Sequence, residues 1–454
     1  MFNIDSRLAH KAVLLVSAFL NLNSSHAELS SSEKLKKIEH IIVIFEENRS
    51  FDNMFGLFPG ANGIFNAGAA AHQVARDGSV YQFLPPVKDT NFKPAIIDPR
   101  FPIELPNAPF LIDTYVPQNQ ATGDLIHKFY QEKAQINNGK MDRFALLSDA
   151  GGLVMGYYDM SKSVHWKLAK DYALGDAMFH SAYGGSFLNH SYLVCGCAFK
   201  WPDAPAHIVA QLDAEGGIIR DGQVSPDGYA INTSRSANFH SSHDTDKERL
   251  VPPQTMPHIG DLLDAKNISW KWYSGGYDDA LNGQASKLFQ WHHQPMAYFK
   301  NLAPGSDAQK AHLQDLKDLY TDIDKNTLPA VSFYKPIGEL NLHPGYANIT
   351  DGDVHLGNVI ERLKKMPSWD KTLVIITYDE HGGFWDHVAP PKRDFWGPGT
   401  RVPLIVVGDM VKKGFIDSTA YDFGSILKTI EERHDLPSLN DHDGKAKSMV
   451  YFLQ

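Results

Sequence analysis

The chain has 454 residues, with 43 Lys and Arg against 53 Asp and Glu, a net charge of −10 at pH 7, and 43% hydrophobic and 21% charged residues. That mixture excludes a disordered chain, a collagen-like fibre and a small disulfide scaffold, and the acidic balance excludes general nucleic-acid binding, which needs surplus cations. The 21 His outnumber the net negative charge, so their full protonation would reverse the sign of the molecule as pH falls through about 6.5.

In chain order, an export signal comes first. Arg7, His10 and Lys11 precede an apolar run over residues 12–20, and small and polar residues follow up to Ser25-His26-Ala27. This is the pattern of a secretory leader with its cleavage site. The run is too short to span a bilayer, which takes about 20 residues. The expectation is a signal peptide over residues 1–27, removed to leave a mature chain over 28–454. That chain is expected to be bacterial, periplasmic or secreted, with no integral membrane segment after cleavage. Cys195 and Cys197 are one residue apart, and such neighbours rarely meet disulfide geometry, so two buried thiols are expected.

Strands and helices then alternate. Residues 38–45 (IEHIIVIF) form a continuous apolar run that reads as a buried strand. Further strands are expected over residues 172–179, 268–273, 328–334, 372–378 and 401–407. Helices are expected over 162–170 and 257–265, through Val354, Val359, Ile360 and Leu363, and over 423–432. Such alternation predicts an α/β fold with a mostly parallel central sheet flanked by helices. Residues 60–120 and 199–255 are rich in Gly, Pro, Asn, Asp and Ser, and read as long loop insertions around the site within a single domain.

The chemistry should collect beyond the carboxyl ends of the strands. Glu46-Glu47-Asn48 follows the first strand, and carboxylate and amide oxygens suit a hard or borderline cation. A solvated turn would use the same residue types. By the period of two along a strand, Glu46 should point to the other face of the sheet. Asp379-Glu380-His381-Gly382-Gly383 follows the strongest strand, and adjacent carboxylates leaving a buried strand call for a positive partner. Gly184-Gly185-Ser186 opens a helix, where free N–H groups favour phosphate. Ser186 there is either a helix cap or a metal-activated nucleophile. The missing glycine after the serine disfavours an esterase elbow. His127, His292, His293 and His355 are candidates to hold a dianion and move a proton.

Glu47-Asn48-Arg49-Ser50-Phe51-Asp52, Asn138-Gly139-Lys140-Met141-Asp142-Arg143-Phe144, the Ser186 segment and Tyr378-Asp379-Glu380-His381-Gly382-Gly383 together resemble, in order, the blocks of the bacterial phosphoesterase family. That family holds phosphocholine-preferring phospholipases C and respiratory-burst-inhibiting acid phosphatases. Gly184-Gly185-Ser186-Phe187-Leu188-Asn189-His190 is similar to the acid phosphatase branch, whereas the phospholipase branch shows a threonine nucleophile. The resemblance implies an alkaline phosphatase-like fold and one divalent metal ion per chain, held by Glu47, Asn48, Ser186, Asp379 and Glu380. It implies catalytic roles for Ser186, His127, His292, His293 and His355, and leaves Asp353 and His387 without one. The implied activity is metal-dependent hydrolysis of phosphate monoesters at acidic pH through a phosphoserine, with phospholipase C action on phosphocholine-type lipids as the alternative. The implied partners are phosphomonoester small molecules, with phospholipids or phosphoproteins as further candidates and no nucleic acid.

Overall fold

The computed structural model describes residues 30–454, so the expected leader lies outside the described residues. Eight strands form the main sheet: β1 (His40–Glu46), β2 (Ala173–Gly175), β3 (Trp270–Ser274), β4 (Leu313–Gln314), β5 (Val331–Lys335), β6 (Thr372–Tyr378), β7 (Leu404–Val407) and β8 (Phe415–Asp417). Their order is β4-β3-β5-β1-β6-β7-β2-β8. Every pairing is parallel except those of β7, which runs antiparallel to β6 and β2. The mostly parallel α/β sheet expected from the sequence is therefore present. All seven residues of β6 are buried, as are six of seven in β1, because helices cover both faces.

The helices that position the site are α1 (Phe51–Phe55), α2 (Phe129–Ile136), α3 (Val164–Asp171), α4 (Ser186–Cys195), α5 (Ile349–Leu363) and α6 (Phe423–His434). Helices α4 and α6 lie on the face that receives Phe45, whose ring meets His190 and Phe423 edge-on at 4.9 and 5.1 Å. Helices α3 and α5 lie on the opposite face, joined where Asp353 accepts the Val164 and His165 amides. All ten residues of α4 are buried, and the polar Ser186, Asn189 and His190, three and four apart, share one face.

The stretches over 60–120 and 199–255 contain only short helical turns and ladders of two or three residues, such as Lys88–Asp89 with Ile96–Ile97 and Gln211–Leu212 with Ile218–Arg220. No helix among the described residues is long and apolar enough to cross a membrane.

One expectation is corrected: Cys195 and Cys197 are joined in a disulfide. The reason is the left-handed cap at Gly196 (φ 59), which folds the chain back at the end of α4 and sets the two Cα atoms 5.2 Å apart. That spacing lies inside the range a bridge requires.

Candidate active site

The register of the sheet assembles the site. β1 pairs in parallel with β6 so that Glu46 lies opposite Tyr378. The residues that follow, Glu47-Asn48 and Asp379-Glu380, therefore leave the sheet side by side at its carboxyl edge. Alternation sends Glu46 to the α3 face, where its carboxylate lies 3.4 Å from His165 Nε2, and Glu47 to the α4 face. Asn48 turns the chain with φ 61, and its backbone amide donates to Asp379 Oδ1 at 3.1 Å. The return loop must come close here: a Cβ on Gly382 (φ +64) would stand 2.2 Å from the Asn48 carbonyl oxygen. Only glycine fits both that approach and that backbone.

Ser186 is the first residue of α4. Its hydroxyl does not cap the helix; Oγ donates to Asn48 Oδ1 at 3.1 Å and lies 3.3 Å from Glu380 Oε1. Of the two alternatives the sequence left open, the helix-cap role is not the one the hydroxyl takes. The free amides of the α4 N-terminus add positive potential at the same point.

Charge is unevenly balanced. Lys335, fully buried at the end of β5, lies 3.4 Å from Asp379 and 3.9 Å from Glu47 and donates to the Glu46 carbonyl at 3.1 Å. Burial would raise Glu47, but His293 and Lys335 hold it well below the usual carboxylate range. Burial wins at the other two carboxyls, pushing Asp379 up to about 6 against Lys335, and Glu380 up to about 8 against His127. The side chains present thus leave Asp379 and Glu380 short of positive charge. With Asn48 Oδ1 and Ser186 Oγ they make an oxygen-rich set that fits a divalent cation.

The histidines divide into three settings. His127 lies 3.7 Å from Glu380 and 3.3 Å from Asn48 Nδ2; burial opposes its charge, yet Glu380 and Asp124 raise it to about 9. His293 Nε2 meets Glu47 Oε1 at 2.6 Å and stacks on His190 at 5.5 Å, and burial brings it down to about 4. His292 packs edge-on to His293 at 4.9 Å, is also lowered by burial, and its Nε2 has no partner among the described residues. Glu47, His292 and His293 together could themselves hold a metal.

His355 is not brought into this group. Its Nε2 lies 2.6 Å from the Tyr334 hydroxyl, and Tyr334 and Lys335 point to opposite faces of β5. The histidine that does join is His343, whose ring lies 5.6 Å from His127 and stacks on Tyr346 at 4.3 Å. His343, Lys335, His190 and Asn341, whose Nδ2 donates to Glu47 Oε2, were not singled out from the sequence. Asp353 accepts from His165 Nδ1 at 2.6 Å on the far face, and His387 lies 2.6 Å from Asp52 in a cluster closed by Arg401. A pocket of about 850 Å³ opens over His127 and Gly185, and both insertions line it through Asn91 and Lys93 on one side and His207 and Arg249 on the other.

With this site at the carboxyl edge of a parallel sheet, the chain belongs to the phosphoesterase family, whose model matches residues 38–437. Among curated proteins it is 28% identical over 443 residues to the non-hemolytic phospholipase C of Burkholderia pseudomallei, covering 88% of this chain and 55% of that one. It is 27% identical over 441 residues to phospholipase C A of Mycobacterium tuberculosis, covering 89% and 74%. The chain thus spans about half the length of the first of these relatives. A solved protein of the alkaline phosphatase superfamily from Vibrio parahaemolyticus aligns at 13% identity over 62% of each chain, with a TM-score of 0.34.

Proposed function

We propose that the chain hydrolyses phosphoric esters with Ser186 as nucleophile, and that phospholipids with a phosphocholine-type head are its preferred class. The observation that carries the reaction is the Ser186 hydroxyl, held between Asn48 Oδ1 and Glu380 Oε1 at the start of a buried helix. The names of the relatives support the phospholipase C reading. One divalent ion, held by Glu47, Asn48, Ser186, Asp379 and Glu380, would lower the hydroxyl pKa and screen phosphate charge.

The chain's own residues do the rest. Ser186 Oγ attacks phosphorus as its proton passes to a neighbouring base, and the ester oxygen leaves opposite. His127, raised to about 9, brings fixed positive charge to the mouth of the pocket. His292 Nε2, with no hydrogen-bond partner among the described residues, is placed to hold a substrate oxygen, and Glu47 orients the adjoining His293. Water then attacks the seryl ester by the reverse arrangement.

A second reading, hydrolysis of phosphate monoesters in acid, is favoured by one feature. Gly184-Gly185-Ser186 carries serine where the phospholipase branch shows threonine. Initial rates on phosphatidylcholine vesicles and on a panel of phosphomonoesters over about pH 4 to 8 separate the two. Faster turnover of the lipid supports the first reading. Monoester turnover without lipid turnover overturns it in favour of the second. The Cys195–Cys197 bridge supports export to an oxidising compartment, as the periplasmic or secreted reading expects.

A further inference from the structure

A second group of metal-ligating side chains lies beside the site but shares no side chain with it. Glu132 on α2, His180 in the loop after β2 and His381 in the loop after β6 are all completely buried. Their ligand atoms lie within 4.8 Å of one another. His180 Nε2 is 2.9 Å from Glu132 Oε1, and His381 Nε2 is 3.7 Å from Glu132 Oε2. Both Nδ1 atoms face backbone carbonyls, of Ala182 at 2.8 Å and of Phe384 at 2.9 Å. A carbonyl only accepts, so each Nδ1 carries a proton and each Nε2 is directed at the shared carboxylate.

This leaves an imbalance. His381 Nε2 has no hydrogen-bond partner among the described residues, and the side chain is closed to bulk solvent. Giving both rings a second proton would place two stacked imidazolium ions 5.4 Å apart on one carboxylate. The carboxylate itself is firmly held, since the Thr400 amide donates to Oε1 at 2.8 Å and the Gly184 amide to Oε2 at 2.6 Å. Each carboxylate oxygen keeps a further lone pair.

We propose that Glu132, His180 and His381 form a closed second cation site that takes zinc or a similar borderline divalent ion. Two imidazoles and a carboxylate are a recurrent zinc set, and backbone carbonyls on both Nδ1 atoms are the outer partners that fix the tautomer such ligands need. Thr400 Oγ1 lies 3.4 Å from His180 Nε2 and adds a further oxygen beside the group. Gly399 seals the site: a Cβ there would stand 2.1 Å from His180 Cε1. A third His and carboxylate cluster, Asp52, Asp386 and His387, already has Arg401 as its cation, 2.8 Å from Asp386 and 3.2 Å from Asp52. The proposed ion would tie α2 to the loops carrying Gly184 and Glu380, and so brace Ser186 from behind.

The test is zinc content of the full chain after zinc loading and removal of free metal, for wild type, His381→Gln and Asp379→Asn. His381→Gln should lose about one equivalent relative to wild type. Asp379→Asn should keep the ion at this site, which separates its outcome from the fate of the proposed catalytic ion. Wild-type crystals measured at the zinc edge should show an anomalous peak among the three side chains. That second measurement decides the matter if His381→Gln fails to fold. Equal zinc content in wild type and His381→Gln, or a zinc-loaded crystal with no peak there, overturns the proposal.

Discussion

Lys335→Met is the sharpest probe of the charge balance. Lys335 is fully buried and faces Asp379 at 3.4 Å and Glu47 at 3.9 Å. At an effective dielectric near 20, a unit-charge pair at the first distance attracts by about 5 kcal/mol before desolvation is subtracted. Methionine keeps the length of the stem and leaves the carboxylates without their lysine. Removing one partner of a buried pair costs about 3–5 kcal/mol, because the remaining charge stays in the interior. The expected loss is therefore about 3–5 kcal/mol in denaturant unfolding of chelator-treated protein. A divalent cation bound by Asp379 and Glu380 compensates the same charge, so the loss should shrink when metal saturates the protein, and metal affinity should rise. A loss below about 1 kcal/mol in chelator, or a loss unchanged by metal, would refute the charge accounting.

Three further outcomes are expected. Ser186→Ala should cut kcat by about a thousandfold or more with little change in melting temperature; a variant within tenfold of wild type excludes a seryl intermediate. Gly382→Ala should destabilise by more than about 2 kcal/mol and lower kcat, since the new Cβ meets the Asn48 carbonyl at 2.2 Å; an unfolding midpoint equal to wild type would remove the argument for that close approach. Burial, together with Asp443, pushes Glu431 up to about 8. The folded state therefore keeps a proton that the unfolded state releases near pH 4.5, so this group's contribution is full below that value and is lost as pH rises to about 8. Glu431→Gln should flatten that part of the stability–pH curve, and an unaltered slope counts against the shift.

How much of this was legible in the sequence depended on the length of each signal. β1 and β6 announce themselves because a strand buried on both faces must be apolar throughout. The edge strands Leu313–Gln314 and Phe415–Asp417 were missed, since two or three residues carry no period. Glu47, Asn48, Asp379 and Glu380 were legible because they directly follow the two central strands. Lys335 also ends a strand, yet a lysine there reads as solvated until β5 is known to lie beside β1. His355 was read at the start of a helix and took its role from the resemblance, while His343, between Leu342 and Pro344, carried no pattern of its own. Only the tertiary path separates them, placing one ring beside His127 and the other against Tyr334. The Cys195–Cys197 bridge was misjudged because the left-handed turn at Gly196 is a backbone fact that residue spacing does not reveal.

Ser186 Oγ is the proposed acceptor of the phosphoryl group. The direct measurement is acid quenching of the enzyme during turnover of a phosphorus-labelled substrate, followed by peptide mapping. Label is expected on the peptide that begins α4, bonded to Ser186, and none in the Ser186→Ala protein. Steady turnover with no labelled peptide, together with wild-type turnover by Ser186→Ala, would contradict it.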